Sequence, residues 1–257
     1  MTPETMQDAS LGTTAIMQYS AFQEAALIQS ECDRRLVFMH EPHGPSAEQY
    51  RRIVSRVISR HPSGGTLMIT SPAPEDGKTL SALNMAFCLA ERGPVLLVDL
   101  DTRHCSVRNR LALGPVAASI EDALLETERP ENCILSIPGT RICVALNRGD
   151  SYAMVDLMAE GRPERFLAWA ARKFMWVVFD TPPTFPIADT LEIAQHTSVG
   201  MLVVRSRKTP ARLVKQAIEA LKGHLHFVLL NDAETPSYAV YNKCYYFDQE
   251  SESRRWK

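Results

Sequence analysis

At 257 residues, with 45% hydrophobic and 23% charged side chains, the chain suffices for one large α/β domain or two small ones. Its formal net charge of -2 gives no global basic field, which argues against nucleic acid as a partner. No apolar run approaches the ~20 residues that span a bilayer, and Met1–Ser20 lacks the basic and apolar regions of a signal peptide, so a cytoplasmic location is expected.

Residues 1–45 show no firm period, and Ala21–Ile28 is expected to form a helical turn or two. Pro42, Gly44 and Pro45 punctuate the chain before a helical pattern from Ala47 to His61. That pattern sets Ile53, Val54, Val57 and Ile58 on one side and Glu48, Arg51, Arg52, Ser55 and Arg56 on the other. Strand-like runs follow at Thr66–Thr70, Val95–Asp99, Arg141–Leu146, Met175–Asp180, Val199–Val204 and His226–Leu230. Helical patterns at Lys78–Arg92, Ser119–Glu126, Glu164–Lys173 and Ala211–Leu221 separate most of them. Apolar strands alternating with helices predict an α/β fold, a parallel sheet flanked by helices on both faces, with ligands at the carboxyl ends of the strands. Domain limits are expected at 1–45 for an N-terminal extension, 46–232 for the α/β domain and 233–257 for a polar, aromatic tail. Six scattered cysteines, none in a Cys-x-x-Cys pair, favour reduced buried thiols over a zinc site.

Three strands end in motifs that carry chemistry. The first, Ser71-Pro72-Ala73-Pro74-Glu75-Asp76-Gly77-Lys78-Thr79, finishes in the Gly-Lys-Thr core of a phosphate-binding loop. There Gly lets backbone N–H groups crowd round phosphate oxygens, Lys reaches the outer phosphates and a hydroxyl holds Mg²⁺. The helix that follows offers its N-terminal dipole to the same anion. The loop is degenerate, with Pro72 and Glu75 where glycines are common. A carboxylate at Glu75 would repel phosphate unless it points outward, and positive φ would cost it strain.

The second motif, Asp99-Leu100-Asp101-Thr102-Arg103, sets two carboxylates on one side of the departing chain. They could hold Mg²⁺ through water and accept a proton from an attacking hydroxyl; equally, acids at strand ends often just cap a helix. The third, Asp180-Thr181-Pro182-Pro183, ends an apolar strand in the carboxylate expected to anchor a metal's hydration shell.

Together the three motifs resemble those of the bacterial tyrosine kinases of capsule and exopolysaccharide synthesis, a branch of the ATPase class that includes the Min and Par partitioning proteins. The resemblance covers most of residues 46–232 and implies a P-loop NTPase-like fold with ATP and Mg²⁺ as cofactors. It implies that Lys78 binds phosphates, Thr79 ligates Mg²⁺, Asp99 and Asp180 organise its waters, and Asp101 helps deprotonate the incoming tyrosine. Pro74, Glu75, Asp76, Gly77, Leu80, Arg103 and Asn231 complete the implied nucleotide site, Asn231 resembling a base-contacting asparagine. Ala73 stands where Min and Par proteins carry a signature lysine, which favours the kinase branch.

In this family a Glu-x-x-Arg-x-x-Arg helix builds a ring-shaped oligomer. Glu48 and Arg51 match it, but Val54 replaces the second arginine. The family's tyrosine-rich tail, phosphorylated between subunits, is matched by Tyr238, Tyr241, Tyr245 and Tyr246. The implied partner is a membrane polysaccharide co-polymerase that activates the kinase from a separate chain and recruits it to the membrane. Two alternatives stand beside the kinase: a weakly active or inactive nucleotide-binding partner of such a protein, and a Min/Par-type switch ATPase.

Overall fold

The computed structural model describes residues 22–102, 104–149, 157–158, 161–185 and 189–233. Arg103 and the tail tyrosines Tyr238, Tyr241, Tyr245 and Tyr246 lie outside the described residues. Eight strands form one sheet: β1 (Gln23–Glu24), β2 (Gly65–Thr70), β3 (Val95–Asp99), β4 (Ile134–Ser136), β5 (Ile142–Ala145), β6 (Trp176–Asp180), β7 (Val199–Arg205) and β8 (Phe227–Asn231). Their spatial order is β1-β4-β5-β3-β6-β2-β7-β8. From β2 the chain winds outward to β3 and β5, returns to fill the gap with β6, then proceeds to β7 and β8 on the other side. Ligand crevices in open α/β sheets form beyond the strand carboxyl ends where winding reverses.

The helices are α1 (Val37–His40), α2 (Pro45–Arg60), α3 (Lys78–Ala90), α4 (Ser106–Arg110), α5 (Ile120–Leu124), α6 (Arg162–Ala170), α7 (Asp189–Ala194) and α8 (Ala211–Ala220). Alternate residues of the central strands feed two separate cores, as the two-residue period of a strand requires. Leu67, Ile69, Leu97 and Val178 pack under α2 and α3. Met68, Leu96, Val98 and Phe179 pack under α5, α6 and α8. In α3 every residue except Leu80 is buried, and its small Ser81, Ala82, Ala86 and Ala90 let it lie close to the sheet with α2 over it. That burial fixes the helix whose first turn carries Lys78 and Thr79.

Two expectations are corrected. Ala21–Ile28 forms no helix across its described part: Gln23 and Glu24 pair in parallel with Leu135 and Ser136. Phe22 stacks on Phe174 and meets the edge of Trp169. Burial of that aromatic ring outweighs the weak helical preference of a short segment. The sheet is also not wholly parallel, since β4 runs antiparallel to β5. A short turn through Gly139, at φ 70, suffices for that hairpin, whereas a parallel pair needs a long crossover.

Residues 22–44 pack on the domain. Asn84 of α3 accepts from the Val37 N–H at 2.9 Å and donates to the Arg35 carbonyl at 3.0 Å. Asp33 pairs with Arg35 and Arg110. On α2, Val54 is buried, and Arg51 forms a two-point contact with Glu91 at 2.8 and 3.2 Å while covering the Phe38 ring.

Candidate active site

The three motifs converge because their strands are neighbours. β6 lies between β3 and β2, with Asp180 opposite Asp99 on one side and Ile69 on the other. The Leu100 N–H donates to the Asp180 carbonyl at 2.8 Å, and the Thr181 N–H to the Ile69 carbonyl at 3.2 Å. Thr70 and Thr190 both donate their hydroxyls to the Pro182 carbonyl at 2.8 Å, so the proline exit is tied to the strand that feeds the loop.

Gly77 takes φ 98 and caps α3 in the left-handed region. A Cβ there would sit 2.1 Å from Asn231 Nδ2, so both conformation and space require glycine. Glu75 also stands in the left-handed region, at φ 64, the strained conformation that sequence reasoning anticipated. Its side chain is 77% exposed and points outward, to Lys208 Nζ at 2.9 Å. The carboxylate is therefore removed from the phosphate side of the loop.

Lys78 is buried with its ammonium 2.6 Å from Asp101 Oδ2, 3.8 Å from Asp180 Oδ1 and 3.3 Å from Thr79 Oγ1. Asp99, Asp101 and Asp180 are each no more than 1% exposed. Burial would lower the Lys78 pKa, but Asp180, Asp101 and Asp99 together outweigh it and raise it. Burial pushes Asp99 well above the ordinary carboxylate range, and the Asp180 charge adds to this. Asp180 is raised too, chiefly by burial and against the pull of Lys78.

One lysine among three carboxylates leaves an excess of buried negative charge. Asp99 Oδ2 and Asp101 Oδ1 lack hydrogen-bond partners, while Asp180 is met by the Thr79 hydroxyl and, at 3.8 Å, by Lys78. Buried orphan acceptors of this kind suit a hydrated divalent cation. Among the described residues no three acidic, His or Cys side chains form a metal cage. Mg²⁺ does not need one, because it keeps waters and is held by one or two protein oxygens plus substrate phosphates.

Leu80 and Asn231 line one groove of about 630 Å³, together with Tyr50, Ile53, Asn84 and Phe227. The Asp76 side chain turns away to Thr209 and Ala73. Sequence reading missed Asn147, which is buried and donates to the Asp101 carbonyl at 3.1 Å while accepting from Cys105 Sγ at 3.6 Å. Its signal was position: it stands two residues past the end of β5, at the same sheet edge as the three motifs.

No family model matches the chain. It is 26% identical over 218 residues to tyrosine-protein kinase YwqD of Bacillus subtilis (strain 168), covering 82% of this chain and 92% of that one. The chain is related to the bacterial tyrosine kinases. Tyrosine-protein kinase ptk of Acinetobacter johnsonii is 27% identical over 179 residues, 66% of this chain but 24% of that protein. The chain thus spans nearly all of one relative and about a quarter of the other. The kinase domain of Escherichia coli tyrosine kinase ETK shares the fold, with a TM-score of 0.68 at 21% identity over 78% of this chain and 82% of that one. The resemblance read from the three motifs is borne out, as is the P-loop fold. Among the described residues no helix is long and apolar enough to cross a membrane.

Proposed function

We propose that the chain is an ATP-dependent protein-tyrosine kinase that phosphorylates tyrosines of its own tail between subunits, in the control of exopolysaccharide or capsule synthesis. One observation carries this reading: a buried lysine beside the phosphate loop, ringed by three buried carboxylates, with Asp99 Oδ2 and Asp101 Oδ1 left without hydrogen-bond partners. The backbone of Glu75 to Thr79 and the first turn of α3 would receive the phosphates, and Leu80 and Asn231 would flank the base along the groove. Thr79, Asp99 and Asp180 would hold a hydrated Mg²⁺, which when bound supplies charge neutralisation at the phosphates.

Lys78 now gives its charge to Asp101, and ATP phosphates compete for it. In the transfer, the tyrosine oxygen forms a bond to the γ-phosphorus, the β–γ bridging P–O bond breaks, and ADP departs. The tyrosine proton passes to Asp101, whose Oδ1 is buried without a partner. Catalysis is then positioning and charge neutralisation in a dry site. Tyr238, Tyr241, Tyr245 and Tyr246 are the proposed acceptors. A membrane co-polymerase on another chain is the proposed activator, and the exposed side of α2 around Glu48 a surface for ring assembly.

The test is to incubate the full chain and a form ending at Ala233 with Mg²⁺-ATP and to map phosphate by mass spectrometry. Phosphotyrosine on 234–257, lost in Lys78→Met, is the expected result. ATP hydrolysis without phosphotyrosine would replace this reading with a switch ATPase. Absence of any ATP binding would leave an inactive partner protein.

A further inference from the structure

A phosphate loop normally uses glycines to take the shape that turns its N–H groups inward, yet here residues 72–75 are Pro, Ala, Pro and Glu. Pro72 and Pro74 bring no N–H at all. The Ala73 N–H is already spent on Asp76 Oδ2, at 3.1 Å. The donors left for phosphate begin at Glu75, which holds a left-handed conformation that favours glycine. A shape that the loop's own residues do not prefer has to be held from outside.

The hold comes from the turn between β7 and α8. Asp76 is 2% exposed, and both its carboxylate oxygens are engaged. Oδ2 accepts from Ala73, and Oδ1 accepts from the Thr209 hydroxyl at 2.7 Å. Thr209 Oγ1 in turn accepts the Arg205 N–H at 2.9 Å, so its single proton is directed at Asp76. From the next strand, Asn231 Nδ2 donates to the Asp76 carbonyl at 2.9 Å and packs against Gly77. The neighbouring Lys208–Glu75 pair is solvent-exposed and contributes little. Of these outside contacts, the only side-chain bond to a buried carboxylate is that of Thr209.

We propose that Thr209 is a positioning residue for the nucleotide: its hydroxyl, acting through the buried Asp76 carboxylate, holds a glycine-poor phosphate loop in its binding shape. The inference rests on the nucleotide-binding reading above and adds to it where the loop's rigidity originates. It also gives Asp76 a role in which its side chain faces away from the phosphates.

The competing account is that Thr209 only caps the 205–209 turn, in which case its loss lowers melting temperature and leaves nucleotide affinity alone. The experiment compares wild-type, Thr209→Val and Thr209→Ser full chains for melting temperature, Kd for Mg²⁺-ADP, and KM and kcat of autophosphorylation. Thr209→Val is expected to raise Kd and KM about tenfold, as loss of one hydrogen bond to a charged group implies, with a much smaller change in kcat. Thr209→Ser, which keeps the hydroxyl, is expected to bind within about twofold of wild type on the same ground.

Asp76→Asn sets an amide against either the Ala73 N–H or the Thr209 hydroxyl proton and is expected to weaken binding similarly. It carries the test by itself if Thr209→Val does not fold. Combining the two should weaken binding no further than the worse single change, since both act through one contact. Wild-type affinity in Thr209→Val, or equal weakness in Thr209→Ser, overturns the proposal alone. A wild-type chain that binds no nucleotide overturns the phosphate-loop reading, and this proposal with it.

Discussion

Asp99 and Asp180 stand directly opposite each other on β3 and β6, both buried, with Lys78 reaching across from the first turn of α3. Two carboxylates in register at the centre of a sheet are costly for the fold alone and useful for holding a cation. The protein's behaviour without nucleotide should carry the mark of that arrangement.

The first consequence is a dependence of stability on pH. Both carboxylates have raised pKa values when folded, so the native state binds more protons than the unfolded chain. Stability from this source is complete below the ordinary aspartate value and is lost as pH rises through the folded values. Asp33, held far down by Arg35, acts in the opposite sense, but only on the acid side of that window. With metal chelated, the melting temperature should therefore decline as pH rises above the ordinary aspartate value, and Asp99→Asn should flatten the decline. Mg²⁺ should raise the melting temperature more at high pH than at low. Thermal melts with EDTA or Mg²⁺ across pH decide this, and a steady rise without metal would refute it.

Lys78→Met should abolish tail phosphorylation, since no other described cation touches the three carboxylates. It should also destabilise the chain by about 3 kcal/mol, the scale for removing one partner of a buried charge cluster. Denaturant unfolding of the variant in EDTA reads the second effect, and Mg²⁺ should recover part of it. A variant as stable as wild type would mean that the carboxylates take up protons at no net cost.

Much of this site was legible in the sequence because its elements are contiguous. An apolar run ending in Asp99 or Asp180 announces a strand, its end and a carboxylate there, and a parallel sheet sets such ends along one edge, whereas the place of β6 between β3 and β2 is set by the structure alone. What was illegible spans sequence distance. Thr209 meets Asp76 across 133 positions, and Asn147 meets Asp101 across 46. A lone threonine after a strand or asparagine in a loop has no period or spacing to mark it. The strand at Gln23–Glu24 was hidden for a related reason, since its pairing with Leu135 and Ser136 and the packing of Phe22 on Trp169 and Phe174 all reach residues far along the chain.

Glu75→Gly tests the strain in the loop. Glycine adopts φ 64 without the Cβ penalty, and the exposed pair with Lys208 that is lost contributes little. The variant should bind Mg²⁺-ADP at least as tightly as wild type, because it relieves the strain and, more weakly, removes a negative charge that points outward from the loop. Glu75→Ala, with a Cβ and no charge, separates the two effects: it should match the gain from lost charge and keep the strain. Isothermal titration of the three chains distinguishes them, and weaker binding by Glu75→Gly than by Glu75→Ala would contradict the strain account.

Asn147 links the exits of β5 and β3 and should matter to the acceptor side of the reaction alone. Its amide donates to the Asp101 carbonyl, in a turn closed by the His104 N–H to that same carbonyl at 3.0 Å. In the proposed mechanism Asp101 takes the tyrosine proton, whereas the phosphate loop has its own contacts with Thr209 and Asn231. Asn147→Ala should leave Kd for Mg²⁺-ADP within about twofold while slowing tyrosine phosphorylation about tenfold, the effect of one misplaced buried contact. Asn147→Asp should be slower still, because it sets a carboxylate against the Asp101 carbonyl. Rapid-quench measurement of phosphotyrosine in a single turnover, beside the ADP titration, reads the two quantities separately. Parallel loss of both would show that Asn147 supports the fold of the sheet edge as a whole rather than the placement of Asp101.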